Sequence, residues 1–232
     1  MSIPKQNAAY AALEFVESGM TLGLGSGSTA EIFIELLGEK VAGGMKLRGV
    51  PTSEATERCA RENGVPLIEP NHVERLDLCV DGADEVDPAF NLIKGGGACL
   101  LREKIIASNS ARFVCIVDER KMVDALGAFA LPVEVDPFGM TLTANQIFAA
   151  LKATGVESPT QTVREKDGRP LITDGGHHII DCACNVIPDP AKTAFALAGI
   201  PGVMEHGLFI DIADVVIVGE ADHARVMELR RE

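Results

Sequence analysis

The chain has 232 residues, 47% of them hydrophobic, enough to bury one large core or two modest ones. Its formal charge of -13 repels nucleic acid and anionic membrane, and no apolar run approaches the ~18 residues of a membrane span. Six cysteines, at 59, 79, 99, 115, 182 and 184, lie mostly in apolar runs, with no C-x-x-C pair and no secretory leader ahead of them; this pattern points to reduced thiols in a cytoplasmic protein.

In chain order, residues 5–17 have helical character. A short strand at 20–24 then opens into Gly23-Leu24-Gly25-Ser26-Gly27-Ser28-Thr29-Ala30 and a helix to about residue 37. This loop offers backbone donors and hydroxyls at a helix N-terminus, a suitable cradle for phosphate. Gly25, Gly27 and Ala30 also satisfy the G-x-G-x-x-A dinucleotide pattern. A nicotinamide site, however, wants an acid at the end of the second strand, and the apolar run 47–50 leads into Pro51-Thr52-Ser53 instead.

A helix over 53–63 and strands near 65–68 and 76–80 lead to the densest stretch, DGADEVDPAFNLIKGGGACLLREK at 81–104. Asp81 and Asp84 fall on the loop leaving a strand's carboxyl end, where open α/β sheets bind ligands. Gly95, Gly96 and Gly97 let backbone N–H groups approach an anion, and a helix starting near Ala98 adds its positive end. Helical spacing turns Ala98, Leu101 and Ile105 to the core and Glu103 to the opposite side, toward cleft or water. Asp-Gly and Gly-Gly are also ordinary turn chemistry, and a lone helical Glu is usually a solvated one. After the next buried strand, 112–117, comes Asp118-Glu119-Arg120-Lys121, where Lys121 either reaches a phosphate or belongs to a solvated charge run.

Strands alternating with helices imply a mainly parallel sheet. From residue 131 the rhythm changes: strand 131–135, helix 142–154, strand 160–164, turn-rich segments, strand 178–183, helix 190–198 and a strand near 203. This β-α-β-β-α-β order is the split ferredoxin-like plan. The runs 208–210 and 215–218 are expected to rejoin the first sheet, which makes 131–206 an inserted domain within a first domain of 1–130 and 207–232. His177, His178, Asp181, Cys182 and Cys184 invite a metal reading, but only His178, Cys182 and Cys184 share a strand face and no C-x-x-C or H-x-x-x-H spacing is present. A strand with packed thiols is the preferred reading.

With GLGSGSTA, DGADEVD, KGGGACLLREKI and PGVMEHGLF in that order, and Lys121 at its expected place, the sequence closely resembles type A ribose-5-phosphate isomerase over nearly its whole length. The resemblance implies a Rossmann-like, mainly parallel α/β domain interrupted by a small ferredoxin-like α+β domain. It also implies interconversion of ribose 5-phosphate and ribulose 5-phosphate in the pentose phosphate pathway, with no organic cofactor or metal, by a homo-oligomer, a dimer being favoured. Carried over residue by residue, it makes Ser26, Gly27, Ser28 and Thr29 one substrate-binding loop, Asp81, Gly82, Ala83 and Asp84 a second, and Lys94, Gly95, Gly96 and Gly97 a third. Glu103 matches the family's base and Lys121 a further substrate-binding position. Cys182, Cys184 and Met204-Glu205-His206 depart locally from the family pattern.

An aldose and a ketose exchange by removal of the carbon-2 proton, giving an enediolate that is reprotonated on carbon 1. A carboxylate base needs preorganised donors for the developing oxyanion. Lys94 and the glycine-loop N–H groups are the expected donors, with Asp81 and Asp84 moving hydroxyl protons; the sequence does not divide that work between them. Two other classes fit parts of the sequence. A sugar-phosphate sensor lacks its DNA-reading segment here, and a nicotinamide-dependent dehydrogenase lacks the ribose acid.

Overall fold

The computed structural model describes residues 2–229. Its elements run α1 (Ile3–Ala12), β1 (Thr21–Leu24), α2 (Ser28–Ala42), β2 (Arg48–Pro51), α3 (Glu54–Glu62), β3 (Leu78–Asp81), β4 (Glu85–Val86), β5 (Leu92–Ile93), α4 (Leu100–Ser108) and β6 (Phe113–Asp118). The second half continues β7 (Leu131–Val135), α5 (Met140–Ala153), β8 (Thr160–Val163), β9 (Glu165–Lys166), β10 (Arg169–Pro170), β11 (His178–Ala183), α6 (Pro190–Ala198), β12 (Val203–His206), β13 (Leu208–Phe209), β14 (Val215–Gly219) and β15 (Ala224–Glu228). Two compact units divide the chain: Met1–Ala83 with Arg102–Lys121 and Asp211–Glu232, and Asp84–Leu101 with Met122–Ile210.

The first unit is built on a six-stranded sheet in the order β15-β14-β6-β3-β1-β2, parallel except for β15, which pairs antiparallel at the edge. Its central strands are continuous apolar runs such as Phe113–Val117 and Val215–Val218, buried throughout, as a parallel sheet covered on both faces requires. The core gathers Leu22, Leu24, Val80, Val114, Ile116 and Ile217 from the sheet with Phe33, Ile34 and Leu37 from α2. Strand β1 has β2 on one side and β3 on the other. The order therefore reverses there, and the crevice beyond the carboxyl ends of β1 and β3 is the topological switch point where such sheets bind ligands.

Helix α4 lies close against this part of the sheet. A Cβ at Gly23 would sit 2.5 Å from Ile106 Cγ2 and 2.9 Å from Cys79 Sγ, so the bare glycine is what allows the approach. The helix crosses over between β3 and β6, which are parallel neighbours, and a crossover helix runs antiparallel to its strands; its first turn therefore lies at the carboxyl edge.

The second unit has three small sheets. Four strands in the order β12-β7-β11-β8, all antiparallel, carry α5 and α6, which is the split β-α-β-β-α-β plan read from the sequence. Its core gathers Val133, Val135, Ile180, Cys182 and Cys184 with Ile147, Leu151 and Leu197 of the helices. A two-stranded ribbon pairs β9 with β10, and a three-stranded sheet has the order β13-β5-β4. This last sheet corrects one expectation. Leu208–Phe209 does not rejoin the large sheet but pairs with Leu92–Ile93; the chain rejoins β6 only at Val215–Gly219. The unit accordingly takes in 84–101, 122–130 and 207–210 besides 131–206. Residues 65–68 also form no strand, leaving a single bridge between Gly49 and Leu67.

Candidate active site

In the first unit, four of the expected site segments lie at the carboxyl edge of the large sheet: Ser26 to Thr29 after β1, Asp81 at the end of β3, Glu103 in the first turn of α4, and Lys121 just past β6. Asp81 is fully buried; its Oδ1 accepts from Ser26 N at 3.0 Å and from Gly82 N at 2.7 Å. Gly25 makes this possible, because a Cβ there would collide with the Asp81 carboxylate and with its Cα. The Gly25 N–H in turn donates to Val80 O at 2.9 Å, tying the loop directly to β3.

The Ser26 side chain is held by a hydroxyl cluster that sequence reasoning missed. Its Oγ lies 2.8 Å from Thr52 Oγ1, 2.8 Å from Ser53 Oγ and 2.9 Å from Thr56 Oγ1. Thr56 Oγ1 also donates to Gly25 O at 3.0 Å, and Ser53 caps α3 by accepting from Thr56 N. Thr52, Ser53 and Thr56 are all buried. The signal is in Thr52-Ser53, which follows β2 and so lies beside the loop leaving β1, its parallel neighbour. A second missed residue is Lys5 of α1, whose Nζ donates to Ser28 Oγ at 2.6 Å. It brings a cation to the N-terminus of α2, which favours an anion already.

Glu103 is 4% exposed, and the buried side of α4 is Leu100, Glu103, Ile106 and Ala107, while Ile105 is 52% exposed. The expected core face of Ala98, Leu101 and Ile105 is thus corrected. Positions 100, 103 and 107 share a helical stripe as well as the predicted set does, and the carboxylate on that stripe disguised it. Its Oε2, like Asp81 Oδ2, is closed off from solvent. Lys121 is half-buried in a turn shaped by Asp118, which accepts from Arg120 N, Nε and Nη2. Those Arg120 bonds hold the Asp118 carboxyl below the usual carboxylate range despite its burial.

In the second unit, Asp84 Oδ2 accepts from Gly96 N at 2.8 Å, which joins the second and third predicted loops. Lys94 is 2% exposed; its backbone N–H donates to Gly207 O at 2.9 Å and its Nζ stands 5.6 Å from the centroid of the Phe209 ring. The remaining acids of DGADEVD have backbone work. Glu85, 3% exposed, accepts from Gly127 N at 2.7 Å and Phe129 N at 2.5 Å, and Asp87 Oδ1 accepts from Ala89 N and Asn91 N, both at 2.9 Å.

The residues that invited a metal reading are engaged elsewhere. His177 Nδ1 meets the buried Glu134 at 2.9 Å, His178 Nδ1 meets Leu171 O at 2.9 Å, and Asp181 pairs with Arg164. Burial pushes the Cys182 thiol up to about 12 and the Cys184 thiol up to about 11, and both pack in the core of the second unit. Among the described residues, no helix is long and apolar enough to cross a membrane.

The chain matches the family model for ribose 5-phosphate isomerase A (phosphoriboisomerase A) over residues 48–223. It is 61% identical over 227 residues to a ribose-5-phosphate isomerase A of Maricaulis maris, covering 97% of both chains, and 52% identical over 226 residues to one of Nitrobacter hamburgensis, again covering 97% of both. Among solved structures, it is similar to a D-ribose-5-phosphate isomerase in complex with phospho-erythronic acid, with TM-score 0.90, 41% identity, and coverage of 99% of this chain and 100% of that one. It is similar also to the ribose 5-phosphate isomerase of Plasmodium falciparum, with TM-score 0.92, 32% identity and 100% coverage of both chains. Full-length identity of this order, joined to the shared fold, places the chain in the ribose 5-phosphate isomerase A family.

Proposed function

We propose that the chain interconverts D-ribose 5-phosphate and D-ribulose 5-phosphate through an enediolate, with Glu103 as the base that carries the proton between carbons 2 and 1. The observation that carries this reading is Glu103 itself, a carboxylate 4% exposed on the core-facing stripe of α4 in a member of the ribose 5-phosphate isomerase A family. Proton abstraction from carbon is served by a carboxylate held in a fixed place and shielded from water.

Each remaining group has a part in the same scheme. Ser26, Gly27, Ser28 and Thr29, with the cation of Lys5, suit the phosphate through the N-terminus of α2. Lys94 with the N–H groups of Gly95 and Gly97 supplies positive charge for the sugar oxygens as the enediolate forms, while the Gly96 N–H holds Asp84. Asp81 and Asp84, with Gly82 and Ala83 between them, assist ring opening and hydroxyl proton transfer. Phospho-erythronic acid, held by a similar protein, is a phosphorylated sugar acid whose planar carboxylate resembles an enediolate, and this favours the same chemistry. The reaction is the aldose–ketose step of the pentose phosphate pathway. The protein works in the cytoplasm as a homo-oligomer, with a dimer favoured, without metal or organic cofactor. The test is direct: purified protein with ribose 5-phosphate in chelator, and no nicotinamide, should form ketose, whereas turnover restored only by a divalent ion contradicts the enediolate reading.

Lys121 serves as a substrate-binding cation. Lys121→Ala should raise KM by roughly 10- to 100-fold, the range expected for loss of a charge-assisted contact, with a smaller change in kcat. Comparison of ribose 5-phosphate with unphosphorylated ribose checks it. A variant that discriminates between them as well as the parent removes Lys121 from the phosphate site.

A further inference from the structure

The second unit holds an arginine that neither the sequence motifs nor the scheme above uses. Arg164, next to β8, is one of the more closely held charges in that unit, with a side chain 15% exposed. Its Nε donates to Asp181 Oδ2 at 2.9 Å and its Nη2 to Asp181 Oδ1 at 2.5 Å, a two-pronged pair with a residue of β11. The third arm, Nη1, donates to Gly95 O at 2.7 Å and to Gly96 O at 3.2 Å. One guanidinium thus holds two consecutive carbonyls of the glycine loop and is itself oriented by a carboxylate on a central strand of its sheet.

In a trans peptide the carbonyl of one residue and the N–H of the next point in opposite directions. Fixing Gly95 O on Arg164 turns the Gly96 N–H the other way, and that N–H is found on Asp84 Oδ2 at 2.8 Å. Fixing Gly96 O does the same for the Gly97 N–H, which is directed away from Arg164. The loop's own turn, Ala98 N–H to Gly95 O at 3.0 Å, also holds the first of these planes, while the Gly96–Gly97 plane, with no side chain to fix it, is held by Arg164. We propose that Arg164, held by Asp181, is a positioning residue that sets the Gly97 N–H for the substrate and the Gly96 N–H for Asp84; this rests on the reading of the glycine loop as substrate-facing. Lysine cannot replace it, because an ammonium cannot hold a carboxylate with two arms and two carbonyls with a third.

The test compares Arg164→Ala, Arg164→Lys and Lys94→Met with the parent, measuring kcat and KM for ribose 5-phosphate per folded molecule, folding being checked by circular dichroism. Arg164→Ala should lose roughly 10²-fold in kcat, as when one oxyanion donor is removed, with KM within about threefold. Guanidinium ion at low millimolar concentration should restore part of that loss in the alanine variant and none in Lys94→Met. Where the alanine variant does not fold, Arg164→Lys decides, with the same loss of kcat expected. Parent-like kcat in the deciding Arg164 variant, or a change confined to KM, overturns the positioning role while Lys94→Met is impaired. A loss of kcat in Arg164→Ala that guanidinium does not relieve, with Arg164→Lys parent-like, is packing damage and overturns it too. If Lys94→Met is itself parent-like, the substrate-facing reading of the loop has failed, and the positioning role fails with it.

Discussion

Glu103→Gln is expected to lower kcat by ~10²- to 10⁴-fold while KM moves by less than about threefold. The amide keeps the size of the side chain and most of its hydrogen bonding, so the buried stripe of Leu100, Glu103, Ile106 and Ala107 should stay packed. What it removes is the capacity to accept a proton from carbon. A purely structural Glu103 gives the opposite pattern, because a buried carboxylate with only neighbours to satisfy affects folding rather than turnover. The variant would then melt earlier, with near-normal kcat in the molecules that remain folded. Steady-state kinetics and a thermal melt on one preparation separate the two.

Lys94→Met should cost ~10²- to 10³-fold in kcat, the scale of losing one preorganised electrostatic partner of a developing oxyanion. Methionine is chosen because it retains the apolar stem. Lys94 is 2% exposed, and its Nζ stands over the Phe209 ring, so truncation to alanine would open a cavity beside β13 and confuse packing with charge. The thioether keeps contact with an aromatic ring and carries no charge. Loss of kcat with an unchanged melting temperature assigns the ammonium to the reaction; a lower melting temperature with parent-like kcat assigns it to the fold.

The long elements were legible because they repeat. The apolar runs of β6 and β14, the glycine loop between β1 and α2, and the order of β7, α5, β8, β11, α6 and β12 all have a periodicity or a punctuation that local reading detects. Strands β4, β5 and β13 have two residues each, too short for any period, and they form a sheet only because distant segments meet; hence Leu208–Phe209 was assigned to the wrong sheet. The antiparallel edge β15, Ala224–Glu228, alternates weakly with polar residues and was not foreseen.

The groups proposed to react were legible in the sequence, and the contacts around the proposed site were not. Asp81, Asp84, Lys94 and Glu103 sit in one crowded stretch, where residue type and glycine context single them out as candidates. The groups that hold the neighbouring loops come from elsewhere: Thr52, Ser53 and Thr56 reach Ser26 through the side-by-side pairing of β1 and β2, and Arg164 reaches Gly95 across 69 residues of chain. Such contacts leave no local pattern. The face of α4 departs from the expected one for a related reason: the buried Glu103 carboxylate on the apolar stripe breaks the hydrophobic rule there.

The central claim is that the Glu103 carboxylate removes a proton from carbon 2. The most direct measurement is exchange of the substrate's carbon-2 hydrogen with deuterated solvent, followed on ribose 5-phosphate with the parent protein and with Glu103→Gln. Exchange reports proton abstraction even where a later step limits turnover. The parent should exchange that hydrogen while the folded Glu103→Gln protein, with ordinary substrate affinity, exchanges it at least ~10²-fold more slowly. Parent-like exchange in the variant would contradict the claim and move the search for the base to Asp81 and Asp84.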